Sequence, residues 1–450
     1  YKTGGNMKPI FEPERQFFYK KTGILLPTDC WRDGTKIYLD CTCDKPLYKF
    51  KVQNKNIIIS KDNTKLFKDK QKKLIELQEL YNERINILVK RTFYRLAKFI
   101  LKHPNKLYVF SHSGGKDSTV AYDIWVKTLK KIYDKYNITI DYIINFANTS
   151  NETADTYKYI KNELPKDKLK ILNPKEGFYQ WIKRENYYTP SCLVRNCCRT
   201  YKEGQINKAY DNNLEYVMCI GVRQVESVKR SKYQFAMDDT FYRKIFNGKS
   251  NMPKKWVNIA PIVDWTDMDV WLYIKKNNLK YNPQYEFGFN RCGCLICPYQ
   301  SDYIDLLIEE YYPNQWKRWI DILTKSYTST FVYESFKWTL EEWLNGKWKL
   351  GTGKEHELIH KKPTPERIKE LATIKGISEE MAAKYFNKRC SYCDKKLNSA
   401  ELAMNFKMIG REMDLNKLLC RKCFCNKFNM SSKEYTQKII EFRNSGCNLF

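Results

Sequence analysis

The run Ser111-His112-Ser113-Gly114-Gly115-Lys116-Asp117-Ser118-Thr119 constrains this chain more than any other. It follows the apolar segment Leu107-Tyr108-Val109-Phe110 and precedes a helical pattern over about 117 to 136. A glycine turn between a strand and a helix N-terminus presents successive backbone N–H groups, which makes it an anion cradle. Gly114 and Gly115 let backbone approach phosphate with no Cβ in the way. Ser113 and Ser118 offer hydroxyl donors, Lys116 adds a cation, and Asp117 either holds Mg2+ or caps the helix. The run is not the Gly-x4-Gly-Lys-Ser/Thr pattern. Its context points to a phosphate-bearing ligand.

The flanking pattern sets the fold class. Leu74, Leu77, Tyr81, Ile85 and Leu88 fall at helical spacing and predict a long amphipathic helix ending near His103-Pro104. Ile138 to Phe146 reads as a second strand, 151 to 162 as helix and Tyr216 to Val222 as a third strand. This alternation predicts an α/β domain with a doubly wound parallel sheet. Ahead of it, Tyr48, Phe50 and Val52 alternate with lysines before a polar turn and Ile57-Ile58-Ile59, which predicts a small β-containing domain. A chain of 450 residues exceeds one ordinary core. The division expected is 1–72 for that N-terminal domain, 73–310 for the nucleotide-binding catalytic domain, 311–358 for a helical extension and 359–450 for a C-terminal module. Trp316, Trp319, Trp338, Trp343 and Trp348 read as packing residues.

No apolar run approaches the ~20 residues needed to span a bilayer, and no signal-peptide pattern opens the sequence, so a cytoplasmic protein with no membrane partner is expected. In that compartment the 16 cysteines are metal or cluster ligands sooner than disulfides. Cys390-x2-Cys393 and Cys420-x2-Cys423, flanked by basic residues, carry the spacing of a structural Zn2+ site, with Cys425 as a spare for Cys423. Just before them, Gly376 suits an αL helix end and Ser378 a helix cap, a helix-hairpin-helix-like arrangement. The net charge of +29 suits a polyanionic partner such as DNA or RNA, although lysine is spread along the whole chain. Cys197-Cys198 and Cys294-x2-Cys297 form two further pairs. Adjacent cysteines sit awkwardly at two corners of one zinc tetrahedron, which favours a 4Fe-4S cluster. Cys192 and Cys292 lie close by in sequence and leave the exact quartet open.

Four segments in order carry a resemblance. The loop resembles the Ser-Gly-Gly-x-Asp-Ser pyrophosphate loop of the adenine-nucleotide α-hydrolase superfamily. The segments Gly221 to Arg230, Pro261 to Trp271 and Tyr281 to Pro298 resemble motifs of the phosphoadenosine phosphosulfate (PAPS) reductase family, and the paired cysteines resemble the cluster ligands of assimilatory adenylylsulfate reductases. The resemblance assigns catalysis to Lys116, Asp117, Arg223 and Arg230. It assigns nucleotide contact to Ser111, Ser113, Gly114, Gly115, Lys116, Asp117, Ser118, Thr119, Asn148, Gly221, Arg223, Glu226 and Ser227. Among such proteins, DNA phosphorothioation sulfurtransferases and tRNA thiolases use ATP with Mg2+ to adenylate an acceptor, and a donor such as a cysteine desulfurase supplies sulfur. Two other readings stand beside this one. A sulfonucleotide reductase would release sulfite, but its Glu-Cys-Gly-x-His tail is missing here and only Cys447 stands near the end. A non-catalytic nucleotide-binding component of a nucleic-acid complex would bind and do no chemistry.

Overall fold

The computed structural model describes residues 7–67, 72–248, 250, 252–328, 336–410, 414–445, 447 and 449–450. They divide into two compact units, 1–190 with 194–320, and 191–193 with 321–450.

The first unit holds two sheets. The larger has the order β10-β11-β9-β6-β7-β8, with β6 Leu107–Ser111, β7 Tyr142–Ala147, β8 Leu169–Leu172, β9 Tyr216–Ile220, β10 Ala236–Asp238 and β11 Val257–Ile259. All neighbours are parallel except β10, an antiparallel edge. This is the α/β sheet expected. The strands β8, β10 and β11 are only three or four residues long, too short for an alternation to show in sequence. From β6 the chain builds outward through β7 and β8 on one side and through β9 and β11 on the other. Such a reversal leaves a crevice at the C-terminal end of the central strand, where open α/β sheets bind ligands.

Two long helices cover the sheet. Helix α2 (Leu74–Lys102) and helix α3 (Lys116–Tyr136) bury one stripe each, Leu77, Ile85, Leu88, Leu96 and Ile100 on the first, Val120, Ile124, Trp125 and Ile132 on the second. Asn137, at φ 53°, closes α3 in the left-handed conformation.

The smaller sheet is an antiparallel meander of β1 Met7–Pro9, β2 Trp31–Asp33, β3 Lys36–Tyr38, β4 Tyr48–Gln53 and β5 Asn56–Asp62. The β4–β5 hairpin is the one its alternation predicts. The described residues of this sheet and of the large sheet fall in one compact unit. Trp31 packs into the main core. Glu14, on helix α1 (Glu12–Thr22), is buried and pairs with Lys8 and Arg32, whose guanidinium also bonds Gly288 O. Burial would raise the Glu14 pKa, but Arg32 and Lys8 hold it below the usual carboxylate range.

The second unit is helical, around a core that includes Leu371, Leu402, Leu418 and Phe424. Gly376 ends helix Pro365–Lys375 at φ 62°, and the Ser378 hydroxyl caps helix Glu379–Ala383 by accepting from Met381 N–H. Both caps are those read from sequence. Each of the five tryptophans between 316 and 348 is buried. Among the described residues, no helix is long and apolar enough to cross a membrane.

Candidate nucleotide site and cysteine centres

Strand β6 delivers Ser111 to the crevice, and the chain turns through Gly114, at φ +77°, into α3. That value explains a glycine at this position. The approach of the neighbouring strand explains another. A Cβ on Gly221, just after β9, would stand 2.7 Å from Ser118 N and Cα, so only glycine lets the two turns touch.

The loop is braced from within. Gly114 N–H donates to His112 Nδ1 at 3.1 Å, Gly115 N–H to Ser113 Oγ at 3.3 Å and Lys116 N–H to the Tyr285 hydroxyl at 2.9 Å. Ser113 N–H reaches Ser118 Oγ, and Ser118 in turn donates to Gly115 O. The Thr119 hydroxyl is buried between Gly115 O and Tyr159. His112 is itself buried, and desolvation pulls its pKa down to about 3. It is therefore neutral at ordinary pH and free to accept on Nδ1.

Beneath the loop lies a square of buried charge. Lys116 Nζ sits 3.0 Å from Asp117 Oδ2 and 3.0 Å from Asp267 Oδ1. Arg223 Nε donates to Asp117 Oδ1 at 2.7 Å, and its Nη2 to Asp267 Oδ1 at 2.8 Å. Burial would raise the Asp117 pKa, but Arg223 and Lys116 hold it below the usual carboxylate range. Two polar atoms of the square, Arg223 Nη1 and Asp267 Oδ2, are buried with no partner.

Above it, Arg230 pairs with Glu226, which also accepts from Arg223 N–H, and the Ser227 hydroxyl accepts from Arg230 N–H. Burial and the nearby Arg291 and Arg223 charges lower the Arg230 pKa. The mouth thus carries more positive charge than its own carboxylates offset. Asn148, at the end of β7, spends its side chain on Asn173, Ser150 and Tyr157. The structure brings Lys116, Asp117, Arg223 and Arg230 close together.

Asp267, Tyr285, Arg291 and Lys202 complete the surroundings and are absent from the sequence-derived site. Asp267 and Tyr285 fall within or beside segments that carried the resemblance, yet nothing local distinguishes them from the structural residues around them.

The first cysteine group adjoins this crevice. Cys197 and Cys198 open a helical segment, and Cys294 and Cys297 lie in the loop after Arg291. The pKa of Cys197 is raised by its hydrogen bond with Cys198, by burial and by the nearness of Cys294 and Cys297. The same hydrogen bond and the charges of Lys202 and Arg195 lower Cys198 to about 6, against its burial. The ammonium of Lys202 is held charged by Cys294, against burial, and by Cys198 and Cys297. Thr149 Oγ1 is 3.5 Å from Cys294 Sγ, and Arg291 Nη2 is 4.0 Å from Cys297 Sγ. Cys292 is placed otherwise. It is hydrogen-bonded to Tyr285 beside Lys116, and burial raises its pKa. Cys192 belongs to the second unit, where its N–H donates to Lys349 O.

The second group is tighter. The sulfurs of Cys390, Cys393, Cys420 and Cys423 all lie within 4.8 Å of one another. Tetrahedral zinc with Zn–S of about 2.3 Å needs sulfurs roughly 3.8 Å apart. This is the one such gathering among the described residues. Backbone N–H donors from Cys420, Tyr392 and Cys393 lower Cys390 to about 6, against its burial, which favours a thiolate ligand. Cys425 stands outside, with Sγ 3.9 Å from Ser431 O. Cys447 packs against this unit's core.

Residues 107–300 match the phosphoadenosine phosphosulfate reductase domain family. The chain is 30% identical over 296 residues to the uncharacterized protein MJ0973 of Methanocaldococcus jannaschii, covering 65% of this chain and 61% of that protein. It is 27% identical over 192 residues to the adenosine 5'-phosphosulfate reductase of Oceanobacillus iheyensis, covering 43% of this chain and 71% of the reductase. It spans less than two thirds of MJ0973, and 43% of a second protein of that archaeon, MJ0066. Among solved structures, a PAPS reductase from Candida auris in a phosphate complex aligns with 16% identity and a TM-score of 0.31, over 47% of this chain and 94% of the reductase. The segment that matches the phosphoadenosine phosphosulfate reductase domain family carries the parallel sheet, the loop of Ser113 to Thr119 and Cys197, Cys198, Cys294 and Cys297.

Proposed function

We propose that this chain binds ATP at the loop of Ser111 to Thr119 and adenylates an acceptor, releasing pyrophosphate, so that sulfur then displaces AMP. The observation that carries the reading is the unsatisfied cationic mouth: Arg223 Nη1 is buried without an acceptor, below an Arg230 crowded by Arg291. Phosphate oxygens entering the crevice supply the acceptors these guanidiniums lack. Lys116 and Arg230 bind and orient the phosphates. Asp117 positions Lys116 and Arg223, because both of its oxygens are already given to them. Mg2+ would therefore be held by Asp267 Oδ2, the carboxylate oxygen of the square left without a partner, in place of the Asp117 expected from sequence.

Cys197, Cys198, Cys294 and Cys297 would hold a 4Fe-4S cluster. Their thiols lie near one another without the close gathering a single zinc ion demands, and Lys202, Arg195 and Arg291 would balance the negative charge of four thiolates. Such a cluster supplies a soft centre that handles sulfide beside the loop. Zn2+ at Cys390, Cys393, Cys420 and Cys423 would hold the C-terminal module, whose helix-hairpin-helix and basic flanks suit a DNA or RNA acceptor. A cysteine desulfurase fits the part of sulfur donor.

The reductase reading rests on the same Gly221–Arg230 turn and on relatives such as the O. iheyensis enzyme. Anaerobically prepared protein given labelled ATP or labelled PAPS separates the two. Pyrophosphate release stimulated by nucleic acid supports adenylation, whereas thioredoxin-dependent sulfite release overturns it. Visible absorption of an iron–sulfur cluster, lost in Cys294→Ser, tests the cluster independently.

A further inference from the structure

We infer that helix α2 is a self-complementary contact through which two copies of this chain associate antiparallel, about a twofold axis at Ile87. Opposite its buried stripe, α2 exposes Leu80, Ile87 and Tyr94, with 56%, 55% and 66% of their surfaces in solvent. Their seven-residue spacing keeps them on one line along the helix. Large apolar side chains in such a row are not the scattered singles of an ordinary surface.

The charges beside the row name the occupant. Glu76, Glu79 and Glu83 flank its N-terminal half, together with Arg84, whose charge is paired with Asp269 of the same chain, and Lys90, Arg91 and Lys98 flank its C-terminal half. Counting outward from Ile87, four residues either way reach Glu83 and Arg91, seven reach Leu80 and Tyr94, and eleven reach Glu76 and Lys98. At about 100° per residue all six fall within roughly 40° of Ile87. A second α2 laid antiparallel therefore sets Glu against Arg, Leu against Tyr, Glu against Lys, and Ile87 against its own copy. A parallel copy would set each charge against itself. An isologous contact requires this reversal of sign across its axis. Arg91 touches Asp264 through Nη2 and remains 47% exposed, so it can meet a second carboxylate.

One apolar residue per heptad makes a thin seam, and the contact falls at the weak end of specific interfaces, with a dissociation constant of about 1 to 100 µM. Sedimentation equilibrium of the full chain, read with circular dichroism to confirm folding, tests it. The wild-type chain shows a monomer–dimer equilibrium that weakens with salt. Ile87→Glu, an exposed change that leaves the core intact, is monomeric at 100 µM. Lys98→Glu weakens dimerisation about tenfold by facing Glu76 of the second copy, and adding Glu76→Lys restores it to within about threefold. A chain monomeric at 100 µM, a dimer indifferent to Ile87→Glu, or a charge swap that restores nothing overturns the inference. Association with a different, charged partner in place of a second copy would appear as one of those failures.

Discussion

Arg223 crosses from the turn after β9 to the start of α3 and donates Nε–H to Asp117 Oδ1 at 2.7 Å. The bond ties the two arms of the reversed sheet together at the floor of the crevice. Because Arg223 is 1% exposed, removing its partner strands a buried charge. Asp117→Asn and Arg223→Ala should each cost about 3–5 kcal/mol in chemical denaturation. Arg223→Lys keeps the charge but not the fork, and is expected to retain folding while losing nucleotide affinity by calorimetry.

His112 links the loop to pH. Its folded pKa is depressed by burial from 6.5 to about 3, so between those values the unfolded chain binds the proton and the folded chain does not. Stability therefore falls as pH drops below 6.5, by up to about 4–5 kcal/mol near pH 3. His112→Asn offers an acceptor near the Nδ1 position without titrating. Its denaturation midpoints should show a shallower decline between pH 6 and 4 than the wild type, and an unchanged slope would refute the assignment.

Gly221→Ala should separate two kinds of damage. Its Cβ must push against Ser118 backbone at 2.7 Å, an overpacking cost of about 1–3 kcal/mol. The strain lands on the first turn of α3, so nucleotide affinity should drop more than stability does. Gly23→Ala, a surface glycine at φ +71° with open space around it, provides a control that loses stability alone.

The zinc reading of the C-terminal quartet predicts one zinc per chain by elemental analysis. Chelation or Cys420→Ser should expose the 360–450 region to proteolysis, because a small module gains much of its folding free energy from the metal. Cys425→Ser should change neither, since its sulfur lies outside the quartet.

Sequence by itself determined the loop, the helices on either side, the β4–β5 hairpin, the αL helix end at Gly376 with its Ser378 cap, and the two C-terminal Cys-x2-Cys pairs. Each is local. A glycine pair, a 3.6-residue period, an alternation or a Cys-x2-Cys spacing is written within one short segment, and local sterics enforce it. Tertiary structure decided what depends on distant residues meeting. Asp267 lies in the Pro261–Trp271 segment, and only the fold turns it under Lys116 and Arg223. Tyr285 lies in the Tyr281–Pro298 segment, and only the fold brings its hydroxyl to Lys116 N–H. Asp117 reads as a Mg2+ ligand or a helix cap, and its two oxygens meet Lys116 and Arg223. Buried charge chooses its partner by proximity in a low-dielectric interior, and proximity across 100 or more residues is a property of the sheet order, which no single segment records.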